Sequence, residues 1–120
     1  MAGNGTNGSK WIRPTKRLAI YCRDGHGCLY CGAGIEDGAT LTLDHLVARE
    51  LGGTNDDGNL VTACLSCNAA KRALTLREWL AFLRDHGTDT AGLAAKVRKH
   101  TARKLDRFMI EARQLEADRA

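Results

Sequence analysis

Two cysteine pairs set the strongest limit on what this chain can fold into: "CLYC" at residues 28–31 and "CLSC" at 64–67. A two-residue spacer lets one tight turn present both sulfurs, and four thiolates suit tetrahedral Zn²⁺ with arms of about 2.3 Å. Thirty-two residues separate the pairs, more than the roughly 15–20 of a common zinc ribbon. The excess fits a two-stranded hairpin with a long connection, whose ends such a site would pin. Closing the longer loop costs little extra, because loop entropy grows with the logarithm of length. Two disulfides or four ordinary buried thiols are the alternatives. No apolar run approaches the roughly 18 residues of a membrane span, and the N-terminus lacks the order of a secretory signal. A cytoplasmic location and no membrane partner are therefore expected, and there paired cysteines more often mean metal than disulfide. The fifth cysteine, Cys22, reads as a packed thiol on the first helix. His26 lies near enough to the frame to be considered as a ligand, but four cysteines already close it.

At 120 residues the chain has the length of one domain. With aromatics at 5% the core must come mainly from Leu and Ala, a modest core that benefits from a staple. Residues 1–10 are Gly- and Asn-rich and read as a disordered leader. Pro14 suits a first helical turn, Leu18, Tyr21 and Cys22 share a face, and Gly25 ends that helix. Residues 40–47 and "NLVTA" (59–63) read as the two strands. Ser66 is placed to cap a helix from Cys67 through Lys71. Thr75 and Glu78 form a capping box for a helix over "LREWLAFLRDHG". From Thr90 on, Leu93, Val97, Thr101, Leu105, Phe108, Ala112 and Leu115 predict one long amphipathic helix. The organisation expected is a core over 11–75 including the N-terminal helix, and a helical extension of the same domain over 76–120.

Charge is unevenly spread. Residues 1–21 carry four bases and no acid. Residues 22–67 carry two bases against seven acids, a net −5, and residues 68–120 carry twelve bases against seven acids, a net +5. Basic flanks suit a polyanion and an acidic centre suits a bound cation, although runs of charge also serve simply as solvated faces.

Inside the cysteine frame, "TLTLDHLV" (40–47) carries Asp44 and His45 side by side in what otherwise reads as a strand. A neutral imidazole is a natural general base near neutral pH, and a carboxylate holds a hard divalent cation. Phosphodiester hydrolysis needs both. Neighbours on a regular strand point to opposite faces, so the pair serves one site only where the strand ends, twists or bulges. Asn59 opens the return strand and Asn68 directly follows Cys67, with Lys71 and Arg72 a turn later.

Together "CLYCG" (28–32) and "LTLDHLVARELGGTNDDGNLVTACLSCNAAK" (41–71) resemble the HNH endonucleases, the zinc-stapled branch of the ββα-metal (His-Me finger) nucleases. The resemblance implies an α+β fold: a ββα core with structural Zn²⁺ on Cys28, Cys31, Cys64 and Cys67, flanked by helices. It implies His45 as general base, Asp44 and Asn68 as ligands of a single catalytic cation (Mg²⁺ or Mn²⁺), and Asn59 as the brace that orients the histidine ring. Asn68 stands where the family has His or Asn, so the motif's letters here are H-N-N. The activity implied is DNA hydrolysis leaving 5′-phosphate and 3′-hydroxyl ends, in a bacterial or phage-encoded protein. Lys71 and Arg72, and a row of Lys96, Lys99, Arg103 and Arg107 on the last helix, are candidates for phosphate contact. The rival readings are a non-catalytic zinc-stapled DNA-binding module and an accessory subunit of a larger DNA-processing complex, such as phage packaging or restriction. A homodimer is also open, since one hairpin–helix site cuts one strand.

Overall fold

A computed structural model describes residues 12–119. The expected disordered leader, 1–10, lies outside the described residues. The first helix, α1, spans Pro14–Arg23 with Pro14 in its first turn. Its end is a Schellman closure: Gly25 N–H donates to Cys22 O at 3.2 Å and His26 N–H to Tyr21 O at 2.8 Å, with Gly25 at φ +82°. A knuckle carrying Cys28 and Cys31 follows, then β1 (Leu41–His45) and β2 (Leu60–Cys64). The strands pair antiparallel from Leu41 opposite Cys64 to His45 opposite Leu60. Each is shorter than, or displaced by one residue from, its expected span.

Directly after β2 comes α2 (Leu65–Lys71). Its cap is Cys64, whose Sγ accepts from Cys67 N–H at 3.4 Å, and not the expected Ser66. A thiolate-bearing residue that must turn its sulfur inward is already placed to accept from the N–H three residues on, so Ser66 falls inside the first turn. The capping box predicted for α3 (Leu76–Asp85) is present: Glu78 N–H donates to Thr75 Oγ1 at 3.1 Å and Thr75 N–H to Glu78 Oε1 at 2.9 Å.

The single C-terminal helix expected from the Leu93-to-Leu115 spacing is instead two, α4 (Leu93–Thr101) and α5 (Asp106–Arg119). The reason lies in what the stripe buries. Val97 packs with Tyr30, Val61 and Trp79, while Leu105, Phe108 and Ala112 pack with Ala19, Ile20 and Leu60. The stripe serves two apolar clusters, and the chain turns at 102–105 to reach the second. The all-buried β2 divides those clusters, contributing Leu60 to one and Val61 and Ala63 to the other.

A buried ion pair ties these parts together. Arg23 Nε and Nη2 donate to the two carboxylate oxygens of Asp24 at 2.8 and 3.1 Å. Arg23 also donates to Leu60 O at 2.6 Å and Asp57 O at 2.9 Å, and Asp24 accepts from Thr62 N–H at 2.9 Å. The groups that burial strips of water here thus find partners. The end of α1 is thereby clamped to β2 and to the loop before it. Among the described residues no helix is long and apolar enough to cross a membrane.

Candidate active site and metal centre

The two CxxC units meet because the hairpin returns the chain to its starting edge. The sulfurs of Cys28, Cys31, Cys64 and Cys67 all lie within 4.8 Å of one another. Cys31 and Cys64 sulfurs stand 3.7 Å apart, against about 3.8 Å for the edge of a tetrahedron with 2.3 Å arms. All five cysteines are free of disulfides, and four sulfurs gathered in one cluster suit a metal ion. Cys28 is pulled down to about 4, first by the hydrogen bond from the Cys67 thiol and then by backbone N–H groups, and Cys67 is pushed up as that donor. Four sulfurs this close, one of them favoured as the thiolate, suit a thiophilic cation. The residues fit structural zinc.

A second group, Cys22, His26 and Glu111, also comes within 4.8 Å. There burial, and then the neighbouring Glu111 carboxylate, push the Cys22 thiol up to about 12. It is a protonated, packed thiol, as its place on α1 suggested.

Asp44, His45 and Asn68 line one cleft of about 260 Å³ with Ala48, Arg49, Glu50 and Arg72. Asp44 and His45 are the last two residues of β1, and although their side chains turn different ways both border this cleft. Asp44 points inward and is buried. Tyr30 Oη donates to its Oδ2 at 2.6 Å, and Lys71 Nζ lies 3.2 Å from Oδ2 and 3.4 Å from Oδ1. Burial pushes its carboxyl above the usual range, opposed by Tyr30, Lys71 and His45. Tyr30 is itself pushed up by burial and by the Asp44 charge.

His45 turns the other way and places Nε2 2.7 Å from Asn55 Oδ1. Asn59 braces the intervening loop: its Oδ1 accepts from Val47 N–H at 2.8 Å, and its Nδ2 donates to Thr54 O at 2.8 Å and Val47 O at 3.1 Å. The side chain on the imidazole is thus Asn55, a residue sequence reasoning passed over, while Asn59 holds the loop that delivers it. Gly53 belongs to the same loop, where an added Cβ would sit 1.6 Å from Val47 O. No other residue type fits that fold of the loop.

Asn68 donates from Nδ2 to Thr42 Oγ1 at 2.9 Å and Leu43 O at 3.1 Å. Thr42 gives its own proton to Ala63 O at 2.8 Å, so Oγ1 must accept and the amide orientation is fixed. Among the described residues Asn68 Oδ1 has no hydrogen-bond donor, which leaves one neutral oxygen for a hard cation. Asn68 lies three residues inside α2 and so does not serve as that helix's cap.

The cations are distributed differently from expectation. Lys71, expected at phosphate, is fully buried, its ammonium held by Asp44 and by His45 O at 3.1 Å. Arg72 is exposed on the cleft wall. The row of Lys96, Lys99, Arg103 and Arg107 is broken by the turn at 102–105, so it does not follow one helix face. Lys96 and Lys99 lie exposed on α4, whereas Arg103 and Arg107 line a separate cleft with Lys104 and Phe108.

Residues 28–73 match the family model HNH, described as HNH endonuclease. This segment is similar to the HNH endonucleases. The match spans the knuckle, the hairpin and α2, and the fold is the α+β, ββα-metal arrangement with a four-cysteine cluster suited to zinc. Nuclease-type, metal-dependent chemistry on DNA is the class of activity that comes with an HNH segment. No curated protein and no solved structure matches the chain.

Proposed function

We propose that the protein is a metal-dependent endonuclease that hydrolyses DNA phosphodiester bonds with His45 as general base. The observation that carries this reading is the convergence of His45, Asp44 and the open Asn68 oxygen on one cleft. An amide oxygen only accepts, so the contact with Asn55 keeps the ring's proton on Nε2 and leaves the Nδ1 lone pair to take a proton from water. Asp44 and Asn68 would hold Mg²⁺ or Mn²⁺, which when bound supplies stabilisation of charge on the phosphoryl and leaving oxygens. Arg72 on the cleft wall is suited to orient a phosphate. Cys28, Cys31, Cys64 and Cys67 would hold Zn²⁺ as a staple and take no part in the chemistry.

One observation favours the second reading, a zinc-stapled DNA-binding module or accessory subunit without catalysis: the Asp44 carboxylate is already engaged by Tyr30 and Lys71. The experiment that separates the two is cleavage of supercoiled plasmid by the purified chain in Mg²⁺, Mn²⁺ or EDTA, beside His45→Ala. The nuclease reading expects metal-dependent nicking that falls about 10²–10⁴-fold in the variant, with DNA affinity and zinc content held. Parent and variant that cut alike, or do not cut at all, leave the binding module.

A further inference from the structure

Lys71 is the last residue of α2 and one of the largest fully buried side chains in the molecule. An ammonium is rarely placed there unless it is paired. Its partners are both oxygens of Asp44, at 3.2 and 3.4 Å, and the carbonyl of His45 at 3.1 Å. Tyr30 completes the arrangement by donating to Asp44 Oδ2 at 2.6 Å. Tyr30 stands between Cys28 and Cys31, and Lys71 lies four residues after Cys67. Both partners of Asp44 therefore come from the two segments that carry the four sulfurs.

We propose that Lys71 is the resident counter-ion of the Asp44 seat: it holds the buried carboxylate while no divalent cation is bound and opposes that cation when it binds, with Tyr30 fixing the carboxylate's orientation. This rests on the reading of Asp44 as a cation seat. A divalent ion arriving on Asp44 meets an ammonium a few ångströms away with little water between them to screen it. Asp44 cannot serve both cations fully, so Lys71 weakens the site for metal. Tyr30 acts the other way. A hydroxyl that fixes the carboxylate in advance spares the ion the cost of ordering it. The seat is thereby set to load only at high cation concentration, and the setting is transmitted through the zinc knuckle because Tyr30 is part of it.

The test is a Mn²⁺ titration of the zinc-loaded chain followed by electron paramagnetic resonance, on the parent, Lys71→Met, Lys71→Gln, Tyr30→Phe and Asp44→Ala. Both neutral Lys71 variants are expected to bind Mn²⁺ about tenfold tighter or more, the factor that one charge-assisted hydrogen bond represents. Tyr30→Phe is expected to bind it several-fold more weakly at unchanged zinc content, which a purely structural defect would not produce. Should the Lys71 variants fail to fold alone, added Mn²⁺ should restore their folding by replacing the missing charge, and should not restore Asp44→Ala combined with Lys71→Met. Lys71 variants that bind Mn²⁺ no tighter than the parent, or are not rescued by it, overturn the proposal. Parent-like Mn²⁺ binding by Asp44→Ala instead overturns the seat at Asp44 on which it rests.

Discussion

At the scale of single residues, the side chain that sequence reasoning did not single out is the one touching the proposed base. Asn55 sits in a polar loop where nothing in composition separates it from Asp56, Asp57 or Thr54. Only the folded loop brings its Oδ1 to His45 Nε2, with Arg49 Nη1 at 3.4 Å on the same oxygen confirming which end of the amide faces in. If Asn55 positions the ring, Asn55→Ala should lower kcat for plasmid cleavage about 10–100-fold, the usual cost of an orienting partner. KM should scarcely move, since Asn55 touches the base and not the substrate. Asn55→Asp keeps an accepting oxygen and should recover most of the rate. Equal defects in both variants would assign Asn55 to loop folding alone. Lys71 was illegible for a related reason: a lysine at the end of a helix reads as surface, and only the third dimension shows its stem buried and its ammonium on Asp44.

The elements themselves were largely legible where the signal was local. Pro14, the Thr75–Glu78 box and the glycine-bounded knuckle act over a few residues, and the structure has each where the chain announces it. The C-terminal stripe misled because period shows which residues face inward and not what they face. The same spacing served two clusters on either side of β2. The Arg23–Asp24 clamp was invisible for the same reason, since its partners are backbone groups 34–38 residues away. The cysteine frame was plain in spacing alone, and it makes a prediction about the elements it joins. Metal analysis should find about one zinc per chain, and a strong chelator or Cys64→Ser should abolish a cooperative thermal transition, because in small metal-stapled folds binding energy is folding energy. Cys64→Ser removes a sulfur from the cluster but leaves a hydroxyl able to cap α2, so the loss reports on the metal site. A zinc-free chain that melts as cooperatively as the untreated one would show that the two apolar clusters suffice.

For the whole molecule, the acidic stretch between basic flanks acquires a shape. The acidic stretch holds the cysteine frame and most of the candidate cleft, while the C-terminal bases divide at the turn between α4 and α5. Arg103, Lys104 and Arg107 converge on one cleft of about 350 Å³, where Arg107 lies over the Phe108 ring at 4.8 Å. Stacking on the ring uses the guanidinium's face and leaves its N–H edge for other partners. Arg103 also bonds Arg23 O at 3.5 Å, which ties it to the α1 clamp, so Lys104 and Arg107 are the pair to neutralise without disturbing packing. Converging cations focus potential more than the same charges spread along a helix. Lys104→Gln with Arg107→Gln should therefore weaken binding to all DNA sequences alike and reduce the slope of log K against log salt by about 0.9 for every phosphate that is no longer neutralised. Lys96→Gln with Lys99→Gln, on the separate exposed face of α4, should reduce it by less. The measurement is fluorescence anisotropy on two unrelated duplexes across a salt series, in EDTA so that cleavage does not intrude. A larger reduction in the α4 pair would move the DNA track to that helix, and an unchanged slope in both pairs would leave these bases as a solvated surface.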